Sequence, residues 1–451
     1  MTSKIIVNNI GSDTGINTVT FDSNVVRGGS NLHSTGLALG AGSTVGAVTG
    51  VTTYYGDGSQ LTNLPAGNLT GTLPALDGSA LTGVGLGTDG SANTSGIITA
   101  TAFVPTTQQL SHRNLIINGD FRIAQRGYEN SYSSTANGYK TVDRWSHNAG
   151  GTGVTVTFSQ QSTTSSDTPY QNGFSKFFRI ALSGAGTANA NAYAEVLTKL
   201  EAQDIANSGW NFKSSSSNIT LSFWVRPSTN QTFYGFIRSY DGTSYAYAFS
   251  FTASGNNTWT KITKTISGNS NLDFNDDNNE GLHLVFVPFY GTDFTNNKTL
   301  DAWAASDNTN FMPDMASTWL TAGASTFDIT GVQLEVGSVA TDFEHRSYAQ
   351  ELQLCKRYYE VFNPSLYVLG RYSHASGAGY NFHSFEVQKR DVPTISFSGT
   401  FSSGSGYAGD PIFSSADTRG VAINSTNTVA ANGILYLDDS GSAFCKFDAE
   451  L

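Results

Sequence analysis

The densest group of residues that could do chemistry is the acidic stretch DFNDDNNE, residues 273–280. Carboxylates this close together could supply the acid and base of a glycosidase, or oxygen ligands for calcium. The flanking sequences read as strands, so the stretch also fits a solvated turn between them. Because an oxygen-rich turn is weak evidence for a site, the sequence favours the solvated loop, then calcium, then catalysis.

Two histidines, His374 and His383, lie nine residues apart without a third partner at metal-ligand spacing. Surface or packing roles are therefore expected for both. The chain has no G-x-S-x-G, P-loop or H-E-x-x-H motif, and the glycine-rich stretch at 40–50 lacks the lysine of a phosphate loop. The sequence therefore predicts a protein that is not an enzyme and needs no cofactor, with a structural calcium as the one alternative.

Aromatic and polar side chains alternate in LGRYSHASGAGYNFHSF, residues 369–385. Pyranose rings stack on aromatic faces, while polar side chains bind their hydroxyls. Because the glycines suit an exposed loop, we predict a receptor or glycan site formed by Arg371, Tyr372, His374, Tyr380, Asn381 and His383. Trp224, on the polar side of its strand, is the next candidate. Core packing is the alternative for both, since large side chains are usually buried.

Composition excludes several classes of function. Charged residues make up 13% of the 451 residues, and 48 glycines accompany many Ser, Thr and Asn, which favours strands and turns. The net charge of −11, without any basic block, argues against a nucleic-acid partner. Cys355 and Cys445 form no disulfide framework, so maturation in a reducing cytoplasm is expected. Neither a signal peptide nor an apolar run of membrane-spanning length is visible, so membrane insertion is not expected.

The N-terminal quarter of the chain is poor in charge and in aromatic residues. A monomer with so few large apolar groups could not offset the entropy of ordering its backbone. However, GDGSQLTNL at 56–64 returns as LDGSALTGV at 76–84. We interpret 50–112 as a repetitive β shaft in which several chains intertwine, and 1–49 as a separate N-terminal region; a disordered leader is the alternative. The inner row of the shaft is expected to include Leu61, Leu64, Leu73 and Leu81.

Residues 113–346 read as a globular domain. All six tryptophans fall between positions 145 and 319. Alternating segments such as ITLSFWVR (219–226) place Ile219, Leu221, Phe223 and Val225 on one face. Eight or nine such strands separated by Gly, Asn and Ser turns predict a β-sandwich.

One helix is expected at 347–363. Ser347 followed by Gln350 forms a capping box, and Asn363-Pro364 would end the helix. Its apolar stripe could face a three-fold axis or lie on its own sandwich; the stripe consists of Tyr348, Leu352, Cys355 and Tyr359. Residues 364–451 return to short strands, which suits a small separate β-domain.

Four segments, taken in order, resemble bacteriophage tail-fibre proteins, particularly those of marine and cyanobacterial phages. They are NLIINGDFRIAQRG (114–127), TVDRW (141–145), LSFWVR (221–226) and ITGVQLEVGSVATDFEHRSYAQELQLCKRYYEVF (329–362). The repeats after residue 50 resemble phage fibre shafts. The resemblance covers roughly residues 50–362 and implies a homotrimer attached to phage tail or baseplate proteins through residues 1–49.

The central domain of that family is similar to carbohydrate-binding modules, which are jelly rolls entered through an N-G-x-F strand. Asn118, Gly119 and Phe121 match this entry, and DITGVQL (328–334) matches the closing strand. Many such modules hold a structural calcium beside these strands, with an acidic residue just after the Phe. Arg122 stands there in this chain, which leaves Asn118, Asp120 and Asp328 as the candidate ligands.

The sequence thus predicts an all-β, elongated fibre with an intertwined shaft, a central jelly roll, a short helix and a C-terminal β tip. The expected function is that of a tail fibre in the virion, assembled in the host cytoplasm. Its tip, around residues 371–383, is expected to bind a host envelope glycan or outer-membrane receptor. A structural tail or baseplate spacer and a polysaccharide depolymerase are the alternatives.

Overall fold

Antiparallel sheets make up most of the structure, a computed structural model, which confirms the all-β class. It describes residues 112–451 apart from 128, 133–136, 254, 256, 366, 372–376, 405, 430–433 and 439–442. The predicted shaft, with Leu61, Leu64, Leu73 and Leu81, and the N-terminal region lie outside the described residues. Within the described part, no helix combines the length and apolar character needed to cross a bilayer.

Two six-stranded antiparallel sheets form a sandwich between residues 129 and 336. In spatial order the first sheet contains β1 (Glu129–Tyr132), β3 (Val156–Ser162), β4 (Lys176–Leu182), β12 (Thr326–Val336), β6 (Asn218–Pro227) and β9 (Thr260–Ser267). The second contains β11 (Trp303–Ala305), β8 (Tyr245–Thr252), β7 (Thr232–Ser239), β10 (Glu280–Tyr290), β5 (Tyr193–Glu201) and β2 (Trp145–Gly150). The sandwich thus has twelve strands, more than the eight or nine that the sequence predicted.

Alternation along the strands places the core between the two sheets. Ile219, Leu221, Phe223 and Val225 are all fully buried on one face of β6, as predicted. From the opposite sheet, Phe286 meets Phe223 edge to face at 4.8 Å between ring centroids. Burying one such side chain contributes about 1.5–3 kcal/mol, so these rows hold the two sheets together.

The second sheet is also covered on its outer face. The segment 291–315, which follows β10, packs Phe311 and Met312 onto that face. Beneath them lie Phe236, Val285 and Val287, which point away from the main core. Strand β10 therefore has apolar neighbours on both faces, which explains its nearly unbroken apolar sequence LHLVFVPFY.

The entry motif is a tight backbone crossing against β12. The side chain of Asn118 donates to the carbonyls of Ile123 and Asp143 and accepts from Ile123 N–H. Val332 N–H donates to Gly119 O at 2.8 Å. A Cβ on Gly119 would lie 2.0 Å from Val332 O, so only glycine fits there.

The described residues form four short helices: α1 (Thr168–Gln171), α2 (Ala202–Ala206), α3 (Thr318–Thr321) and α4 (Tyr348–Lys356). The capping box at Ser347 and Gln350 is confirmed. The prediction that this helix runs to residue 363 is wrong, because the chain enters strand β13 (Tyr359–Phe362) instead. Pairing of β13 with the C-terminal strand β22 (Phe444–Asp448) overrides the local helical pattern.

The predicted helix stripe does not form one exposed face. Tyr348 is 58% exposed, whereas Cys355 is fully buried and Tyr359 is 4% exposed. Cys355 and Tyr359 pack inside their own chain and cannot line a three-fold axis, so their assignment to a trimer interface is wrong. Leu352 is half-buried. The helix lies on its own sandwich, where Glu351 accepts a hydrogen bond from Asn118 N–H.

Three small sheets follow the helix. The first has the strand order β13, β22 and β16 (Thr394–Ser398). The second has the order β14 (Tyr367–Arg371), β21 (Ile434–Leu437), β18 (Tyr407–Ala408) and β17 (Ser403–Gly404). The third has the order β15 (Gly377–Ser384), β20 (Gly420–Val429) and β19 (Pro411–Ser414). They share a core of their own around Leu369, Val421 and Phe447. Sandwich and small sheets belong to one compact unit, Ala100–Leu451.

Candidate functional site

An open cleft of about 420 Å³ lies on the outer face of the second sheet. Two rows of side chains, which run across β7, β10 and β5, form its floor. Residues that are paired across neighbouring strands point to the same face of the sheet, so the members of each row lie side by side. One row is Arg238, His283 and Lys199, and the other is Phe236, Val285 and Leu197. The site is thus built on rigid sheet rather than on a loop.

Aromatic side chains form much of the cleft wall. Phe311 stacks on Phe236 at 4.9 Å, and Phe294 packs against Tyr290 at 5.3 Å and edge to face with Tyr193 at 5.7 Å. Both phenylalanines come from the segment that covers the sheet. The wall therefore depends on the long connection between β10 and β12, which folds back over the floor strands.

A hydrogen-bonded carboxylate marks one end of the cleft. Glu195 accepts from Asn148 Nδ2 at 2.6 Å and from the hydroxyl of Tyr290. Burial raises the pKa of Glu195, and it raises the pKa of Tyr290 well above its usual range. This end of the cleft presents fixed acceptors and donors beside aromatic rings.

The other end of the cleft is cationic. His283 stacks on Tyr240 at 3.8 Å, and the guanidinium of Arg238 lies 4.8 Å from the centre of the Tyr240 ring. Nearby, Glu280 accepts from His283 and Lys199, which lowers its pKa to about 2. Burial lowers the pKa of His283, so its ring is neutral at pH 7.

Glu195 lines the cleft whereas Glu280 lies outside its lining, so the two do not face each other across one site as a glycosidase pair does. Glu280 is paired with Glu201, six residues along β5 from Glu195. The Glu280 carboxylate accepts from Lys199, which is four residues, or about 13 Å of strand, from Glu195; the two carboxylates of a glycosidase lie about 5–9.5 Å apart.

The predicted tip site is only partly described, and one of its members is misassigned. Tyr372 and His374 lie outside the described residues, and for Arg371 and Tyr380 only the backbone is described, in β14 and β15. Asn381 is exposed and donates to Val368 O at 2.8 Å.

His383 is 8% exposed, so its assignment as a glycan contact is wrong. Its ring lies 4.1 Å from that of Phe362 and stacks on Phe447 at 5.4 Å. Burial lowers the pKa of His383, which makes it a neutral aromatic side chain of the small core. Strand alternation turns His383 and Phe385 inward, while Phe382, immediately before His383, is exposed.

The three calcium candidates do not converge on one site. The side chain of Asn118 is used by the backbone of its own turn, and Asp120 pairs with Arg122. Asp328 is held by Arg179 at 2.7 Å and by Arg226 at 2.8 Å. In the described part of the chain, no group of three or more His, Cys, Asp or Glu side chains could hold a metal. The arginines supply the positive charge that an ion would bring.

Residues 273–279 of the acidic stretch lie in the loop between β9 and β10, as the sequence favoured, and Glu280 begins β10. Leu272 and Phe274 anchor the loop in the core. Asp277 accepts hydrogen bonds from Asn279, and so stabilises the turn itself. The cleft lining contains no residue of this stretch, and Glu280 approaches it only through its contacts with Lys199 and His283.

Sequence reasoning missed the cleft because its residues come from four strands, two loop positions and a covering segment. A signal was nevertheless present: the outward positions of β7 include Tyr234, Phe236 and Arg238, a mixture of aromatic and long polar side chains that differs from an ordinary solvated face. Trp224, the other candidate, is half-buried on the outer face of the first sheet, away from this cleft.

No family model and no curated protein matches the chain. Solved structures with partial likeness include the enzymatically active domain of tailspike protein 4 of bacteriophage CBA120, at 14% identity over 49% of this chain and 21% of that chain, with a TM-score of 0.27. A family 11 carbohydrate-binding module from Clostridium thermocellum, in complex with a β-1,3-1,4-mixed-linked tetrasaccharide, matches at 10% identity over 48% of this chain and 98% of that one, with a TM-score of 0.22. The baseplate tripod of bacteriophage Tuc2009 matches at 13% identity over 55% and 62%, with a TM-score of 0.23. Likenesses of this size carry no argument about the activity of this chain.

Proposed function

We propose that this protein is a bacteriophage tail fibre that attaches the virion to its host, and that the cleft binds a glycan of the host envelope. The observation that carries the proposal is the cleft, where aromatic rings flank a carboxylate with fixed hydrogen bonds. The tail-fibre part is supported by the ordered motifs of residues 114–362.

A sugar suits this cleft for two physical reasons. Apolar C–H faces of a pyranose pack on rings such as Tyr193 and Tyr240, which line the cleft and are partly exposed. Sugar hydroxyls can donate to Glu195 and accept from Arg238, both of which are already oriented by neighbours. Because these side chains are already oriented, less conformational entropy is lost when the ligand binds.

Weak binding at one cleft is sufficient for attachment. A homotrimer joined to tail or baseplate proteins through residues 1–49 would present three clefts together, which raises the effective concentration of each. Trimerisation and this mode of attachment are part of the proposal. The tip residues Arg371, Tyr372, His374, Tyr380 and Asn381 remain a second region for receptor contact, whether to glycan or to outer-membrane protein.

Depolymerase activity is the second candidate function. The raised pKa of Glu195 and the lowered pKa of Glu280 are the kind of contrast that an acid and a base require. Their separation along β5 opposes it. A structural spacer would need no cleft at all.

The test uses the full chain and a printed array of bacterial capsular and lipopolysaccharide glycans. Tyr240→Ala should lose at least about tenfold in affinity for the glycans bound, since aromatic contacts of this kind contribute about 1–3 kcal/mol. Tyr348→Ala, at an exposed tyrosine of α4, is the matched control and should bind normally.

The same glycans are then incubated with the protein and assayed for reducing ends. Binding without release supports the attachment proposal. Release of reducing sugar would favour the depolymerase. Equal binding by Tyr240→Ala and the unmodified protein, or no binding to any glycan, would remove the cleft from the proposal.

A further inference from the structure

The indole N–H of Trp224 has no protein partner among the described residues, unlike those of the other five tryptophans. Each of those five donates to an oxygen atom: Trp145 to Asn118 O, Trp210 to Ser217 O, Trp259 to Asp167 Oδ1, Trp303 to Ser267 O and Trp319 to Thr326 O. An indole N–H in a half-buried position usually finds an acceptor. Trp224 therefore presents a free donor beside a large aromatic ring.

A second cavity, of about 350 Å³, surrounds this ring on the outer face of the first sheet. Ser222 and Trp224 of β6 and Lys261 of β9 form its floor; Trp224 and Lys261 are directly paired across the two strands. The size lies within the range of small-ligand pockets, about 300–1,000 Å³.

The cavity wall is fixed by packing. At a bulge in β12, Gly331 has a φ of 62°, and a Cβ there would lie 2.7 Å from the Phe174 ring. Phe174 packs edge to face with Phe343 at 4.9 Å, and His345 donates to Asn172 O at 3.0 Å. The glycine thus admits the ring that closes one side of the cavity.

Other polar groups of the cavity are also unused. The side chains of Gln171, Lys261 and Asp342 line it and form no hydrogen bond or ion pair with any residue that the structure describes. One positive and one negative charge leave the cavity without net charge. The amide, the indole N–H and the two charges can all bond to hydroxyl groups of a ligand.

We propose that this cavity is a second site, separate from the cleft, which binds a neutral pyranose against Trp224. An aromatic face with several uncommitted donors and acceptors is complementary to a sugar ring, which has one apolar face and a rim of hydroxyls. The site does not depend on the cleft, because the two open on opposite faces of the sandwich. Each chain would then bind glycan on both faces.

The experiment follows the six indole N–H signals of the ¹⁵N-labelled full chain by NMR, with Trp224→Phe identifying the Trp224 signal. The probes are the methyl β-glycosides of glucose, galactose and mannose. At least one should shift the Trp224 signal in a saturable way, with a Kd of about 1–10 mM, as expected for a single weak sugar contact. The five indoles with protein partners should not move.

Two variants separate this site from the cleft. Gln171→Ala, at an exposed position, should weaken the titration about fivefold because one hydrogen bond is lost. Tyr240→Ala should leave it unchanged, so failure of the cleft and failure of this site are distinguishable. The proposal is overturned if none of the three probes shifts the Trp224 signal. It is also overturned if Gln171→Ala leaves the titration unchanged, or if Tyr240→Ala abolishes it.

Discussion

Arg144 and Glu450 form a buried ion pair between residues 306 positions apart in the sequence. The guanidinium of Arg144 also lies 3.4 Å from the centre of the Tyr358 ring. Arg126 adds a contact to Glu450 at 3.1 Å and one to Asp448 at 2.8 Å. Both arginines belong to motifs that carry the tail-fibre resemblance, and their structural role is to hold the C-terminal strand against the sandwich.

Glu450→Ala should strongly destabilise the protein, because it leaves the charge of Arg144 buried without its partner. Removing one member of a buried pair typically costs about 3–5 kcal/mol. The free energy of unfolding in urea measures this. The matched control is Asp417→Ala, which removes an exposed pair with Arg419 and should lower the free energy of unfolding far less than Glu450→Ala does. Similar losses in both variants would contradict the role given to Glu450.

Asp143 should make stability depend on pH. Burial raises the pKa of this carboxyl from 3.8 to about 7, even though Gln125 donates to it. A carboxyl whose pKa is raised on folding makes its full contribution to the stability of the folded state below its unfolded pKa. That contribution is lost as pH rises toward 7, because the carboxyl then ionises in the unfolded state before it does so in the folded state. Relative to Asp143→Asn, the unmodified protein should therefore lose free energy of unfolding between about pH 4 and pH 7.

Denaturant unfolding of both proteins at several pH values measures this difference. Above pH 7 the difference should level off, because the carboxyl is then ionised in both the folded and unfolded states. Parallel stability curves over the whole range would show that Asp143 titrates as an ordinary carboxyl.

Gly119→Ala should be poorly tolerated, since the new methyl group would meet Val332 O at 2.0 Å. Backbone cannot move aside as a side chain can, so a cost at the upper end for overpacking, about 3 kcal/mol, is expected. Gly184→Ala is the control, because a Cβ there meets nothing within 4 Å and the glycine has no positive φ. Thermal unfolding should separate the two variants by several degrees; equal transition temperatures would contradict the close crossing.

Local patterns in the sequence predicted those parts of the fold that depend on neighbours along the chain. The alternation in β6 placed Phe223 inward correctly, and Ser347 with Gln350 gave the start of α4. The end of α4 could not be read in this way. It depends on pairing of Tyr359 with Asp448, a contact between distant segments that no local pattern contains.

The candidate sites show the same limit. His383 has the residue type and spacing of a sugar contact, but the partner that buries it, Phe447, lies in the last strand. The cleft joins Asn148, Glu195 and Phe311, and only the strand order of the second sheet brings them together. The outward position of Trp224 could be predicted because it follows from the period of a single strand.

Lys389 and Glu360 form a second buried pair, inside the C-terminal part, and are fully and nearly fully buried. Lys389 also donates to Lys356 O, so it ties the end of α4 to β13. Lys389→Met should cost about 3–5 kcal/mol, because Glu360 keeps its charge without a partner. Lys389→Met combined with Glu360→Gln should recover most of this loss, since no uncompensated charge remains. Urea unfolding of the two single variants and the double variant gives the coupling between the residues. A double variant as unstable as the sum of the single variants would show that the pair does not act as a unit.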